Sequence, residues 1–458
     1  MFLKYKTEIF LLIVFLAGLS PSSKYIEYVS IIYFLISLYA YFFFINNKND
    51  LVIHRGFSLP IIFFIFIIFQ LINLPGNLTQ ILSPTSSKFY EGLYQSDWHS
   101  ISLSPLQSLK YLLTFLICFL IMIITPKLIN KKRILKRVFE FVFWIGAAHA
   151  LIALSIYFFD NKTLSTFVSL FRDTNYSFSG LFINRNNFSF YMVLFFIVAV
   201  NYYSFYFKYF SITKKTKFFN FILSDLFLIR AVIILFAITI VLTKSRAGNL
   251  SFLAVLIVLF LLDYYKNKKL TFITKTILTI IVIDVLLIGF FVGFDKVIER
   301  YAVTSATSEE YRLSFFEFGI ANYFKFWLWG YGLGGFETLF RLEYLNFVTV
   351  ADHVHNDFIE YLGELGLIGI ALLFMMMVYY LFILNKSYQN KMLLSDIQNI
   401  VILTLVACVV HGNFDFALHK PAIIFFVIFN LSLGLCRLDK KTKTTSQSRS
   451  QTHSLKLH

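Results

Sequence analysis

The sequence predicts an all-α integral membrane protein of about twelve transmembrane helices, and three observations carry that prediction. The 458-residue chain is 58% hydrophobic and only 14% charged, with 58 phenylalanines, outside the range of soluble globular domains. Apolar runs close to the roughly 20 residues that a helix needs to cross a bilayer recur from Thr7 to Leu435 with short polar breaks. Lysines and arginines fall in alternate breaks, as they do where cytoplasmic loops collect cations.

Taken in order, the expected spans are 7–20, 26–45, 57–75, 107–125, 138–159, 187–207, 226–243, 247–264, 276–294, 361–384, 397–413 and 421–436. The first run, behind Lys4 and Lys6, resembles a signal peptide but reads better as a retained helix, which leaves both termini on one side. Seven alternating segments of that side hold 26 of the 41 Lys and Arg residues, which makes it the cytoplasmic side. The net charge of +16 is therefore a topology signal rather than a nucleic-acid footprint. Cys118, Cys408 and Cys436 lie in or beside apolar spans without disulfide or metal spacing, and no function is assigned to them. The expected organisation is a polytopic membrane domain over 1–436 and a disordered basic cytoplasmic tail over 437–458.

The polar chemistry gathers on the opposite, outer side. The run S-G-L-F-I-N-R-N-N from Ser179 places Arg185 at a membrane boundary, where it is either a snorkelling anchor or a binding group. The turn T-K-S-R-A-G from Thr243 is too short for an independent loop and holds Arg246 at the mouth of the bundle; a lone cation there is costly unless paired or solvated, which makes it a functional candidate. In the large outer loop, 295–358, Thr307-Ser308-Glu309-Glu310 has capping-box spacing. It predicts an interfacial helix from Tyr311 to Trp329 that carries Arg312 and Glu317 among aromatic residues. The glycines from Gly330 to Gly335 follow a helix and not a strand, so they read as a turn rather than a dinucleotide fingerprint.

The segment D-H-V-H-N-D-F-I-E-Y from Asp352 admits two chemistries besides that of a plain interfacial loop. His353 and His355 with nearby carboxylates could bind a divalent ion, although no H-E-x-x-H or cysteine pattern supports it. Alternatively one histidine is a general base that needs no metal, the other and Asp352 setting its orientation or solvation. Asp415, in the last outer loop, is placed to pair with an arginine across the bundle. Asp284 and His149 fall within spans and should face protein or water.

These motifs, with W-H-S-I-S-L-S-P at Trp98, E-Y-R-L-S-F-F at Glu310, G-Y-G-L-G-G-F at Gly330, H-V-H-N-D-F-I-E-Y-L-G-E-L-G-L-I-G at His353 and D-F-A-L-H-K-P-A at Asp415, occur in an order that resembles the bacterial O-antigen ligase and polymerase superfamily, most densely over 179–435. The resemblance implies a glycosyltransferase-C-like architecture in the inner membrane. The implied activity is metal-independent, inverting transfer of a glycan from undecaprenyl diphosphate to an acceptor hydroxyl at the periplasmic face. It implies no cofactor and no nucleic acid. The partners implied are the lipid-linked donor, a glycan or lipid A-core acceptor, the bilayer and a chain-length regulator. By motif, Arg246 and Arg312 correspond to diphosphate-binding arginines, with Arg185 a weaker match, and His355 to the essential histidine. His353, Asn356, Asp357 and Asp415 are expected to support it. A protein O-oligosaccharyltransferase is a rival within this chemistry, and a secondary transporter or flippase of lipid-linked glycan is one outside it; the halves show no internal repeat of the kind transporters use.

Overall fold

A computed structural model describes residues 5–19, 26–47, 58–92, 97–158, 178–210, 225–269, short pieces up to 282, 306–343, 351–389 and 395–438. Among the described residues the main helices are α1 (Lys6–Leu16), α2 (Ile26–Asn46), α3 (Ser58–Leu71), α4 (Gly76–Leu82), α5 (Pro84–Glu91), α6 (Pro105–Leu128), α7 (Lys132–Phe158), α8 (Arg185–Tyr209), α9 (Asp225–Leu242), α10 (Arg246–Asn267), α11 (Ala306–Lys325), α12 (Phe336–Glu343), α13 (Asp357–Gln389), α14 (Ser395–Gly412) and α15 (Pro421–Leu433). One two-stranded antiparallel pair, β1 (Leu74–Pro75) with β2 (Trp98–His99), ties two outer segments together.

Among the described residues, eight helices are long and apolar enough to cross a membrane, and α3 and α15 are shorter apolar helices. The chain is an all-α, multi-pass membrane protein. A helix stands at every expected span except the ninth, 276–294, which lies mostly outside the described residues, as does Asp284. Most of the tail, from 439 onward, lies outside them too. Large apolar side chains on the helix rims, such as Phe34, Ile65, Phe374 and Phe382, are exposed, as a lipid-facing surface requires.

The bundle is organised around α8. Every residue of this helix from Asn187 to Phe205 is buried, and α7, α9, α10, α14 and α15 pack against it. Its composition suits that place: Phe188, Phe190, Phe195 and Phe196 pack on all sides, so no polar face is needed. The helix directions give the bundle two unlike ends. At one, α8, α10 and α13 begin and α14 finishes; at the other lie Lys208 with Asp396 (2.8 Å), Lys136 with Glu140 (3.1 Å) and Arg137 with Glu8 (2.9 Å). The arginine and histidine motifs stand at the first end, away from these lysine-rich contacts.

The capping-box stretch does open a helix, α11, with bounds slightly earlier than 311–329; the side chains from Thr307 to Glu310 lie outside the described residues. This helix is not laid out alone at an interface. Phe315 and Phe326 turn inward and join Leu103, Tyr331, Phe336, Leu339, Phe340 and Val354 in a core of the outer segments, while Phe324 and Trp327 remain exposed.

The glycine cluster has a specific task. Helix α13 breaks at Gly366 (φ 61°, ψ −171°), a conformation that essentially only glycine adopts. The break frees backbone groups on both sides, and the cluster satisfies them. Tyr331 and Gly332 N–H donate to the carbonyls of Gly363 (3.1 Å) and Glu364 (3.0 Å), and Leu367 and Ile368 N–H donate to those of Trp327 (2.8 Å) and Leu328 (3.2 Å). Gln70, buried on α3, donates from Nε2 to the carbonyl oxygens of Trp329 (2.6 Å) and Glu364 (3.1 Å). The Trp98 motif docks on the same cluster, Leu103 N–H to Tyr331 O at 2.9 Å and Ser108 Oγ to Leu333 O at 2.8 Å.

A β-carbon on Gly366 would stand 2.6 Å from Leu328 O. We expect Gly366→Ala to cost about 1–3 kcal/mol for the backbone conformation alone, read as a lowered thermal unfolding midpoint of the purified protein, whereas Gly92→Ala, which meets nothing closer than 3.7 Å, leaves the midpoint unchanged.

Candidate active site

Two helix starts form one wall of the site. Asn184 caps α8, its side chain accepting from Asn186 N–H at 2.7 Å, and Ser245 caps α10, its hydroxyl accepting from Gly248 N–H at 3.1 Å. Both residue types satisfy first-turn amides that the helix cannot. Gly248 lies against Ser189 so closely that any β-carbon would collide with it, which brings the two starts together. Arg185 and Arg246 are the first residues of these helices, each half-buried. Each arginine is thus placed in the first turn, at the positive end of a helix dipole, an arrangement suited to an anion.

His355 stands next to this wall. Its Nδ1 lies 3.2 Å from Asp415 Oδ1. Asp415 is fully buried; Asn186 Nδ2 donates to its Oδ2, and Phe416 N–H donates to Oδ1 at 2.9 Å. Burial alone would raise the Asp415 pKa, but the hydrogen bond from His355 and the positive potential of His411 outweigh it, and the carboxyl is held at about 2. An ionised Asp415 makes Nδ1 the donor and leaves Nε2 of His355 as the basic nitrogen. The His355 side chain is 22% exposed, and the ring is flanked by Phe416 (4.9 Å between centroids) and Phe315 (6.4 Å). Its backbone has φ +60°, a costly value for a residue with a β-carbon. The next residues hold it there: Asn356 Oδ1 caps α13 by accepting from Phe358 (3.0 Å) and Ile359 (3.1 Å) N–H, and Asp357 N–H donates to Asp415 O at 3.2 Å.

His353 lies in a different environment. Its Nδ1 is 2.6 Å from Glu360 Oε1 and its Nε2 is 3.2 Å from Lys420 Nζ, with Phe416 stacked on the ring at 4.0 Å. Burial, with the charges of Lys420 and His419 added, lowers its pKa well below the usual histidine value. It is therefore neutral near pH 7, donating from Nδ1 and accepting at Nε2. Behind it, His419 Nδ1 meets Asp357 Oδ1 at 2.7 Å while its Nε2 faces Glu360 Oε1 (3.4 Å) and Glu364 Oε2 (3.6 Å). Burial would lower the His419 pKa, but Glu360, Asp357 and Glu364 together raise it well above the ordinary value. A polar cavity of about 190 Å³, lined by Gln107, Lys110, Glu337, Asp352, His353 and Lys420 among others, opens onto this cluster.

Of the residues singled out in the sequence, the structure brings Arg185, Arg246, His355, Asn356 and Asp415 to one place. Arg312 is exposed on α11, one turn before Phe315, whose ring faces His355. Among the described residues Asp415 finds Asn186 and His355 as partners rather than an arginine. The Asp357 carboxylate pairs with His419 rather than with His355, and its backbone N–H serves the His355 side through Asp415 O. His149 faces protein, edge-on to Tyr191, with neither nitrogen hydrogen-bonded among the described residues. Sequence reading gave no role to Glu360, Glu364, His419, Lys420 or Asn186. A signal existed for two of them: Asp357, Glu360 and Glu364 are spaced three and four apart, which places three carboxylates on one face of α13.

Because the folded Asp415 pKa lies below its ordinary 3.8, its ionisation stabilises the fold above about pH 4, and that contribution is lost as pH falls toward 2. We expect acid unfolding of the wild type to steepen in this window and of Asp415→Asn to be flatter there, measured by tryptophan fluorescence.

Residues 231–374 match the family model described as O-antigen ligase. The matched stretch includes Arg246, Arg312, both histidines of the H-x-H motif and the three α13 carboxylates, while Arg185, Asp415 and His419 lie outside it. No curated protein matches the chain. Over residues 231–374, about a third of its length, the chain is thus similar to the O-antigen ligase family.

Proposed function

We propose that the protein transfers a glycan from undecaprenyl diphosphate to an acceptor hydroxyl at the periplasmic face of the bacterial inner membrane, with inversion at the anomeric carbon. The observation that carries this reading is the meeting of two arginine-bearing helix starts with an Asp-paired histidine. The similarity of residues 231–374 to the O-antigen ligase family supports glycan transfer in general; the donor, acceptor and residue roles are our inference.

In the step, the acceptor oxygen attacks the anomeric carbon as the bond from that carbon to the diphosphate oxygen breaks, and the electron pair leaves with the diphosphate. Arg246 and Arg185, helped by the amides of the helix starts, stabilise the charge that gathers there, and Arg312 reaches it from α11. The acceptor proton passes to Nε2 of His355, and Asp415 stabilises the imidazolium that results. His353 is a poor candidate for this role because Glu360 and Lys420 already occupy both its nitrogens. This chemistry asks for no metal at the reacting carbon.

An apolar groove of about 560 Å³ supports a lipid donor. It runs along α10 past Leu250, Leu253 and Ile257 to Asn356, beside the proposed base, with Val409 and Phe414 on its other side. A prenyl chain lying there would place its diphosphate near the helix starts. Both termini would then be cytoplasmic, in keeping with the lysine-rich opposite end of the bundle.

The test is transfer by the purified protein in lipid, from undecaprenyl-diphosphate-linked glycan to a glycan or lipid A-core acceptor. His355→Ala should lower turnover about 100- to 10,000-fold, and Arg246→Ala and Arg312→Ala should weaken donor use. Turnover of His355→Ala equal to wild type removes the base; no transfer to any acceptor by wild type, with solute movement across vesicles instead, removes the enzyme. In cells, loss of the ladder with single repeats left at the surface marks a polymerase. Loss of all surface glycan, with lipid-linked polymer accumulating, marks a ligase.

A further inference from the structure

Behind the proposed base, His419, Glu360 and Glu364 converge, and two of the three carry buried polar atoms without a hydrogen bond among the described residues. His419 Nε2 and both carboxylate oxygens of Glu364 are buried and receive no hydrogen bond among the described residues. The side chains of His419, Glu360 and Glu364 are 0%, 1% and 0% exposed. Buried groups of this kind carry a substantial cost unless something occupies the space between them.

The distances indicate what that occupant is. His419 Nε2 lies 3.4 Å from Glu360 Oε1 and 3.6 Å from Glu364 Oε2, beyond the 2.7–3.2 Å of an ordinary N–H···O bond. Two ligands on one zinc ion, each bound at about 2.0–2.1 Å in tetrahedral geometry, stand about 3.3 Å apart. The outer contacts are also those of a metal centre. Asp357 accepts from Nδ1 of His419, at 2.7 Å, which turns the Nε2 lone pair inward, and Val354 N–H (2.9 Å) and His353 Nδ1 (2.6 Å) hold Glu360. Tyr361, stacked at 4.2 Å, and Tyr111, edge-on at 5.8 Å, fix the plane of the His419 ring. Atoms of His353, Glu360 and His419 lie within 4.8 Å of one another, but both His353 nitrogens are engaged by Glu360 and Lys420, which leaves Glu364 as the third side chain facing His419 Nε2. Three buried carboxylates, Asp357, Glu360 and Glu364, surround this one imidazole, while Lys420 contacts His353 instead.

We propose that His419 Nε2, Glu360 and Glu364 bind a divalent transition-metal ion, zinc being the best match to one imidazole and two carboxylates. Binding displaces the proton from His419 Nε2, and the fourth position faces the cavity beside His353 and Lys420. The ion is a clasp and not a participant in transfer. It joins α13 to the turn before α15 and, through Glu360, to the loop that carries His353 and His355.

The experiment reads the ion and not turnover, so it stands or falls apart from the proposed transferase activity. Tag-free full-length protein in lipid nanodiscs is stripped with chelator, dialysed against zinc and measured by mass spectrometry of the metal. Close to one zinc per chain is expected for wild type and for His355→Gln. Glu364→Gln and His419→Gln should lose it, and Asp357→Asn should bind about 10- to 100-fold more weakly. Should the variants fail to fold, wild type loaded with cobalt is decisive: visible bands of four-coordinate cobalt, with a first shell of one imidazole and otherwise oxygen by X-ray absorption, are expected. Wild type that remains metal-free in excess zinc overturns the proposal and leaves a proton on His419 as the cation of the site. Undiminished zinc in folded Glu364→Gln and His419→Gln, or a shell rich in imidazole or sulfur, overturns it as well.

Discussion

Asp415 sits with its carboxylate fully buried between separate parts of the chain, and a charge in that position is tolerable only when its oxygens are answered. Oδ2 is answered by Asn186 from the start of α8; Oδ1 is answered by His355 from the outer loop and by the amide of Phe416. Asp415 also accepts at its backbone carbonyl from Asp357, the first residue of α13. One residue therefore fixes the central helix, the loop histidine and the entry to the longest helix relative to one another. The arginine-bearing helix starts belong to the same assembly because α8 and α10 abut where Gly248 meets Ser189.

A second constraint comes from the solvent. Inside a bilayer every backbone amide and carbonyl must find a partner in the protein, so a helix can break only where another segment supplies the lost bonds. The break at Gly366 and the chain from Trp327 to Gly332 meet this condition reciprocally, each offering donors and acceptors to the other. The outer segments are thus joined to the membrane bundle through backbone bonds as well as through their own aromatic core. This is why a glycine cluster that looks like a nucleotide signature in the sequence is instead a fitting for a broken helix.

The spans were legible because lipid enforces one simple pattern, a long apolar run, that depends on no distant residue; the caps Asn184 and Ser245 emerged only from the structure. The arginines at 185 and 246 and the H-x-H pair stood out because charge at a membrane boundary is rare. What could not be read were partnerships across long separations: Asn186 with Asp415, Gln70 with Glu364, Asp357 with His419. Each depends on which helices become neighbours, and the apolar faces that decide this are nearly uniform in phenylalanine and leucine. The expectation that Asp415 would meet an arginine fails for that reason. Its charge was visible in the sequence, whereas its neighbours were set by how α8 and α14 pack.

The two histidines of the H-x-H motif show how a spacing of two residues is turned into different chemistry. In an extended strand, residues two apart would share one face and one environment. Here the positive φ of His355 breaks that relation. His353 turns into the carboxylate-rich interior, where Glu360 and Lys420 take both ring nitrogens and burial keeps it neutral. His355 turns toward Asp415, which engages Nδ1 and leaves Nε2 to accept a proton. A proton acceptor must have a free lone pair, and an imidazole that becomes charged in the act needs an anion at its back. Of the two rings only that of His355 has both, and the strained backbone at that position is the cost of separating it from its neighbour.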